Sequence, residues 1–216
     1  MVALTAPSVS RAAAGAPDGW SVLRLPGKPV TDFTAGSDGA ITVTAADSVG
    51  FLFRDAAKIS GTGRYLTWRW RVDAMPPPTD LSMKGMDDRP LAVHVWFAAP
   101  DGSNTDWNLR ERFGAWLQDA PLPGKMLTYV WGGAGKRGDR LRNPYRETGG
   151  AIVILRAGDS PTGRWFSETV DIGADFEAAF GVAPPSPAYV AISADTDDKG
   201  GTSKGAVAEM AFKSAP

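Results

Sequence analysis

The stretch Tyr65-Leu66-Thr67-Trp68-Arg69-Trp70-Arg71-Val72-Asp73 decides the fold. Read with period two, Leu66, Trp68, Trp70 and Val72 share one face, and Tyr65, Thr67, Arg69, Arg71 and Asp73 share the other. Such a segment is a β-strand with one face in a core and a row of charged and hydrogen-bonding groups on the other. Met75-Pro76-Pro77-Pro78 follows, and prolines that cannot donate to a ladder take the chain out of the sheet.

Outward from this strand the rhythm repeats. Upstream, Ile41-Thr42-Val43-Thr44 and Phe51-Leu52-Phe53 each follow a glycine-containing turn. Downstream, Leu91 to Phe97, Met126 to Trp131, Trp165 to Val170, Tyr189 to Asp195 and Ala206 to Phe212 read as strands. Ala151-Ile152-Val153-Ile154-Leu155 is apolar on both parities, as in a central strand buried on both faces. Two short helices are expected. One carries Leu109, Phe113, Trp116 and Leu117 on a single stripe, and one runs from Asp175 to Gly181. At least eight evenly spaced strands and little helix predict an all-β chain, an antiparallel β-sandwich of jelly-roll type. Residues 18–216 form one domain, behind an Ala/Ser/Pro-rich tail at 1–17.

Composition narrows the function. A formal charge of -1 and a pI near 5.9, without a basic run, argue against non-specific nucleic-acid binding. No segment has the roughly 18 apolar residues of a membrane span. With no cysteine and a single histidine, thiolate catalysis, disulfides and a catalytic zinc are unsupported. Residues 195–200 resemble a calcium loop, but Lys199 breaks the pattern and Ala206 stands where the twelfth-position Glu belongs. Asp195 and Asp197 remain candidate ligands for a structural calcium. Asp87 and Asp88, with Lys84 and Arg89, read as a salt-bridged loop with Arg71 as a partner.

Subtracting the core-facing residues leaves a polar, aromatic set: Arg69, Arg71, His94 and Trp96, together with either Tyr129 and Trp131 or Thr128. On the concave face of a curled sandwich, flat rings beside charged groups suit a sugar, whose C–H faces stack while its hydroxyls take polar partners. Asn143, Tyr145 and Asp195 are expected at the rim.

In order along the chain, Trp68-Arg69-Trp70, Val72-Asp73, Lys84 with Asp87-Asp88, Tyr129-Val130-Trp131-Gly132, Asn143-Pro144-Tyr145, Phe180-Gly181 and Asp195-Thr196-Asp197-Asp198 form a pattern. It resembles a bacterial, usually exported family of domains of unknown function over roughly residues 20–213. The resemblance implies a galactose-binding-like jelly roll and a periplasmic or secreted location. It implies no activity. Residues 101–123 are longer than is usual in that family, and Lys199 replaces a small polar residue.

The leading expectation is a non-catalytic binding module for a carbohydrate or similar polar envelope ligand. One alternative is a polysaccharide lyase for uronic-acid polymers, with Arg69 or Arg71 neutralising the carboxylate and His94 and Tyr129 moving the proton. Another is an envelope protein-interaction module that uses the long insertion as its contact.

Overall fold

The computed structural model describes residues 16–98 and 124–216. Short strands open the chain: β1 (Ser21–Leu23), β2 (Asp32–Ala35), β3 (Ile41–Ala46), β4 (Val49–Asp55) and β5 (Ser60–Gly61). They are followed by β6 (Tyr65–Ala74), β7 (Arg89–Phe97), β8 (Lys125–Trp131), β9 (Arg140–Arg142), β10 (Gly150–Arg156) and β11 (Phe166–Asp171). A helix, α1 (Ile172–Phe180), precedes β12 (Pro187–Asp195) and β13 (Thr202–Lys213). The expected helix around Leu109 and Trp116 falls outside the described residues.

Two sheets pack face to face as a β-sandwich. One runs β1-β4-β12-β7-β8-β10-β9, and the other runs β11-β6-β13-β3-β2 with β5 also on β13. Pairing is antiparallel except between β8 and β10 and between β5 and β13. The opening stretch is β6, and its alternation holds: Leu66, Trp68, Trp70 and Val72 are buried, with Tyr65, Thr67, Arg69 and Arg71 between them half-buried. Those four pack across the sandwich on Val93, Val95, Phe97, Tyr129 and Trp131. Trp70 meets Trp131 edge to face at 5.5 Å, and Trp68 meets Tyr129 at 5.8 Å.

β10 is buried on both faces as its sequence predicts, yet it lies one strand from the edge. Val153 and Leu155 enter the main core, while Ile152 and Ile154 join a second cluster with Leu81, Ala92, Val130 and Ala157 on the far side of the sheet. The loop around Leu81 therefore does for the outer face what another strand would have done. Gly133, at φ 81, passes so close beneath it that a Cβ would lie 2.7 Å from the Leu81 side chain.

Helix α1 starts earlier than the sequence reading placed it. Asp171 ends β11 and also caps the helix, its carboxylate accepting the Ala174 N–H at 3.0 Å and holding Arg64 through two nitrogens. One residue serving both elements hides the boundary, and Gly173 weakens the helical pattern there. The C-terminal end is as expected, with Gly181 left-handed at φ 72. Phe176 then seats against Phe97 at 4.5 Å and closes that end of the core.

β13 carries a bulge. Ala208 pairs with Arg69 and Ala211 with Thr67, so Glu209 and Met210 together oppose Trp68. Glu209 takes φ 54 there. Val207 and Phe212, an odd number of residues apart, can both face the core only because of this extra residue.

Candidate functional site

The polar and aromatic residues expected on one face lie on three surfaces. Arg69 and Arg71 sit on the outer face of the six-stranded sheet, where Arg69 pairs with Glu209 at 2.8 Å and Arg71 with Asp73 at 2.7 Å. Both guanidiniums lie over the Trp165 ring, at 5.3 and 5.1 Å. Tyr129 and Trp131 point into the space between the sheets and are fully buried. The Tyr129 hydroxyl donates to Asp175 at 2.8 Å, and burial beside that carboxylate pushes its pKa well up.

His94 and Trp96 face the other way, on the outer side of the seven-stranded sheet, but neither is open to solvent. Trp96 packs with Phe51, Phe53, Met126 and Leu23 and is core. His94 bonds through its ring nitrogens to Thr128 Oγ1 at 3.0 Å and Ser193 Oγ at 2.8 Å. The three form a polar seam across adjacent strands between the two outer apolar clusters. Burial and the charge of Arg89 hold the imidazole pKa well below its usual value, so His94 stays neutral. Thr128, not Tyr129, is its neighbour. The Arg, His and Tyr groups a lyase would need therefore do not converge.

What does converge is a cleft on the outer side of the seven-stranded sheet. Leu25, Val49, Phe51 and Met126 supply its apolar lining, and Lys28, Asp87, Arg89, Asn143, Tyr145, Arg146, Asp195, Asp197 and Asp198 supply the polar groups. Three of the sequence candidates are here: Asn143, Tyr145 and Asp195. The cavity volume is about 170 Å³, below the roughly 300–1,000 Å³ of sites that enclose drug-sized ligands. It has room for a small ligand or one residue of a longer one.

Arg89 is its electrostatic centre. This residue opens β7 beside the end of β12 and is fully buried. Its Nη1 donates to the Asp87 carbonyl at 2.7 Å and to Asp87 Oδ2 at 3.0 Å, and lies 3.4 Å from Asp195 Oδ2. Arg71, the partner expected for Asp87 and Asp88, is on the opposite sheet. Burial raises the Asp87 carboxyl to about 6, against the pull of Arg89, and raises Asp195 well above the ordinary carboxylate range. Asp88 accepts the backbone N–H groups of Asp198 and Lys199 at 3.0 and 2.9 Å, tying down the loop after β12. Lys28 pairs with Asp197.

Tyr145 bridges the rim. Its hydroxyl accepts the Gly85 N–H at 2.9 Å and reaches Asp198 Oδ2 at 3.5 Å, while the residue as a whole remains 41% exposed. The local turn that presents it is held by Asn143, whose Oδ1 accepts the Tyr145 N–H at 2.9 Å. The Asn143 amide nitrogen faces no protein acceptor among the described residues.

Oxygens of Asp88, Asp195 and Asp197 lie within 4.8 Å of one another, which adds Asp88 to the pair picked out as candidate cation ligands. Each already has a protein partner: loop amides for Asp88, Arg89 for Asp195 and Lys28 for Asp197. Of the three, Asp195 alone is paired with the buried guanidinium.

Sequence reasoning did not place Lys28, Asp87, Arg89 or Asp198 among the candidates that meet in this cleft. A signal was present for Arg89, because a charge at the head of the apolar Leu91–Phe97 run needs a buried counter-charge, and Asp195 ends another apolar run.

No helix among the described residues is long and apolar enough to cross a membrane. No curated protein matches the sequence. Among solved structures, the chain is similar to the xyloglucanase domain of NopAA, a type three effector from Sinorhizobium fredii, in complex with cellobiose. The identity is 11%, the match covers 92% of this chain and 95% of that one, and the TM-score is 0.46. A family model described as protein of unknown function (DUF3047) matches residues 18–211, and the chain belongs to that family.

Proposed function

We propose that the protein is a binding module that holds a small hydroxyl-rich ligand, a single sugar residue in size, in the cleft around Arg89. The observation that carries this reading is the exposed Tyr145 ring beside a cleft with an apolar floor and a fixed set of polar groups. A sugar ring can stack on the phenol, and its hydroxyls can exchange hydrogen bonds with the Asn143 amide and the Asp87 and Asp198 carboxyls. These groups are ordered before any ligand arrives, because the Tyr145 hydroxyl, Asp88 and Arg89 fasten the surrounding loops together. Preorganisation of this kind lowers the entropy lost on binding. Burial of Asp87 and Asp195 against Arg89 fits a structural and hydrogen-bonding use of these carboxyls, without covalent chemistry. An envelope location, as the family resemblance implies, would expose the cleft to glycans.

The test is a titration of the full chain with a panel of neutral monosaccharides and short glycans, followed by ligand-detected NMR. Tyr145→Ala should weaken binding about tenfold or more, the loss of one stacked ring and its ordering bond, with the melting temperature lowered by no more than about 2–4 °C, the effect of one rim hydrogen bond. Absence of binding across the panel, or equal affinity in the variant, would remove the reading. The ligand should bind equally in the presence of a calcium chelator.

A further inference from the structure

We propose that the sandwich carries a second binding site, for a small oxyanion, where the edge strand β9 meets the C-terminal turn of α1. A cavity of about 410 Å³ opens there, and Lys125, Arg140, Arg142, Ala151, Val153 and Phe180 contribute to its lining. It is separate from the Arg89 cleft and shares no lining residue with it.

The register makes these cations unusual. Arg140 lies opposite Val153 and Arg142 opposite Ala151, so both arginines project from the face that Val153 and Ala151 turn towards the core. Positions on that face of a sandwich ordinarily carry apolar side chains. Here two guanidiniums stand two residues apart on one strand, about 7 Å between their Cα atoms. That spacing lets both reach a single carboxylate or phosphate group. Lys125 adds a third cation from β8, its Nζ 4.5 Å from the centre of the Phe180 ring and 3.4 Å from the Thr148 carbonyl oxygen.

Little in the protein neutralises this set. Arg140 gives Nη2 to Asp175 at 2.5 Å, leaving its other nitrogens without a bond among the described residues. Arg142 has no hydrogen bond or ion pair among them, and it is exposed. Glu147 is the one carboxylate in the lining, and it lies 3.7 Å from Lys84. Three cations around a partly apolar hollow therefore present both charge and an ordered wall. The ligand is an oxyanion, supplied either by the carboxylate of a sugar acid or by a phosphate.

Inward charge on an edge strand can also serve only to block pairing with another chain, and the experiment separates the two. Amide NMR spectra of the full chain are followed during titration with sodium glucuronate, inorganic phosphate and, as the neutral control, glucose. Saturable shifts in β9 and the last turn of α1 are expected with at least one anion. Glucuronate alone would assign a sugar acid, and phosphate alone a phosphate group. Arg142→Ala should weaken that binding about tenfold, Arg142→Lys should restore part of it, and both variants should melt like the parent. Tyr145→Ala should leave it intact, which keeps this site distinct from the cleft. No saturable shift with either anion, equal affinity in Arg142→Ala, or glucose acting as well as the anions would overturn the proposal.

Discussion

The two outer faces of the sandwich carry similar residues under opposite conditions. On the six-stranded sheet, Arg69 and Arg71 are half-buried beside Trp165 with their guanidiniums partly open to water, and their carboxylate partners Glu209 and Asp73 are also accessible to water. On the seven-stranded sheet, Arg89, His94, Asp87 and Asp195 are buried. The difference comes from cover. Loops bearing Leu81, Asp87, Tyr145 and Asp198 lie over the second face, and nothing comparable among the described residues lies over the first. A guanidinium in water and one under a loop obey different energetics, because the ion pair of the first is screened and that of the second is not.

The largest effect that should separate the faces is at Arg89. Arg89→Ala leaves Asp87 and Asp195 buried without their counter-charge and should cost about 3–5 kcal/mol of unfolding free energy. Urea denaturation gives the value, and a loss under 1 kcal/mol would mean that the pair is already well hydrated.

A smaller effect should appear as a pH slope. In the unfolded chain the Asp87 carboxyl ionises near its ordinary value of 3.8, whereas in the folded chain it keeps its proton up to about 6. Its contribution is thus fully present below pH 3.8 and is lost as the pH rises through 6. His94 works in the other direction. The unfolded ring gains a proton below about pH 6.5, and the buried ring refuses it, so stability from His94 is lost as the pH falls. Asp87→Asn removes the first slope and leaves the second. The variant's deficit relative to the parent should therefore be greater at pH 4.5 than at pH 8, and a deficit constant across that range would show that Asp87 is ionised throughout. Asp195 adds a slope of the same sign as Asp87, which the variant retains.

The smallest change belongs to the open face. Arg69→Ala should cost less than about 1 kcal/mol, as exposed ion pairs do, and 0.5 M salt should erase most of it. A larger loss would show that the Trp165 stack, and not the charge pair, holds that surface.

The alternation of β6 showed correctly which residues turn inward, because one parity is wholly apolar and the other wholly polar. β7 and β8 offered no such contrast. Both of their faces are buried, so Trp96, Tyr129 and Trp131 look equally fit for a pocket or a core. Nor does period two say which layer a strand joins, and for that reason Arg69 and His94, each rightly placed off the main core, end up on different sheets. Asn143, Tyr145 and Asp195 were legible because turn chemistry puts polar side chains where strands end. The remaining cleft residues come from strands and loops far apart in sequence, Phe51 on β4, Arg89 on β7 and Met126 on β8 among them, and their meeting depends on crossovers that no local pattern encodes.

The bulge at Glu209 and Met210 also sets how the chain can change length. Removing one of the two would leave Val207 and Phe212 four residues apart, restore regular pairing with β6 and keep both facing the core. A single-codon deletion in the regular stretch just before it, between Gly205 and Val207, would instead turn the residues on one side of the break to the opposite face, although no polar residue had been added. The bulge is thus the place in β13 where a residue can be lost without moving the core-facing side chains, at the expense of the Arg69–Glu209 pair if Glu209 is the one removed.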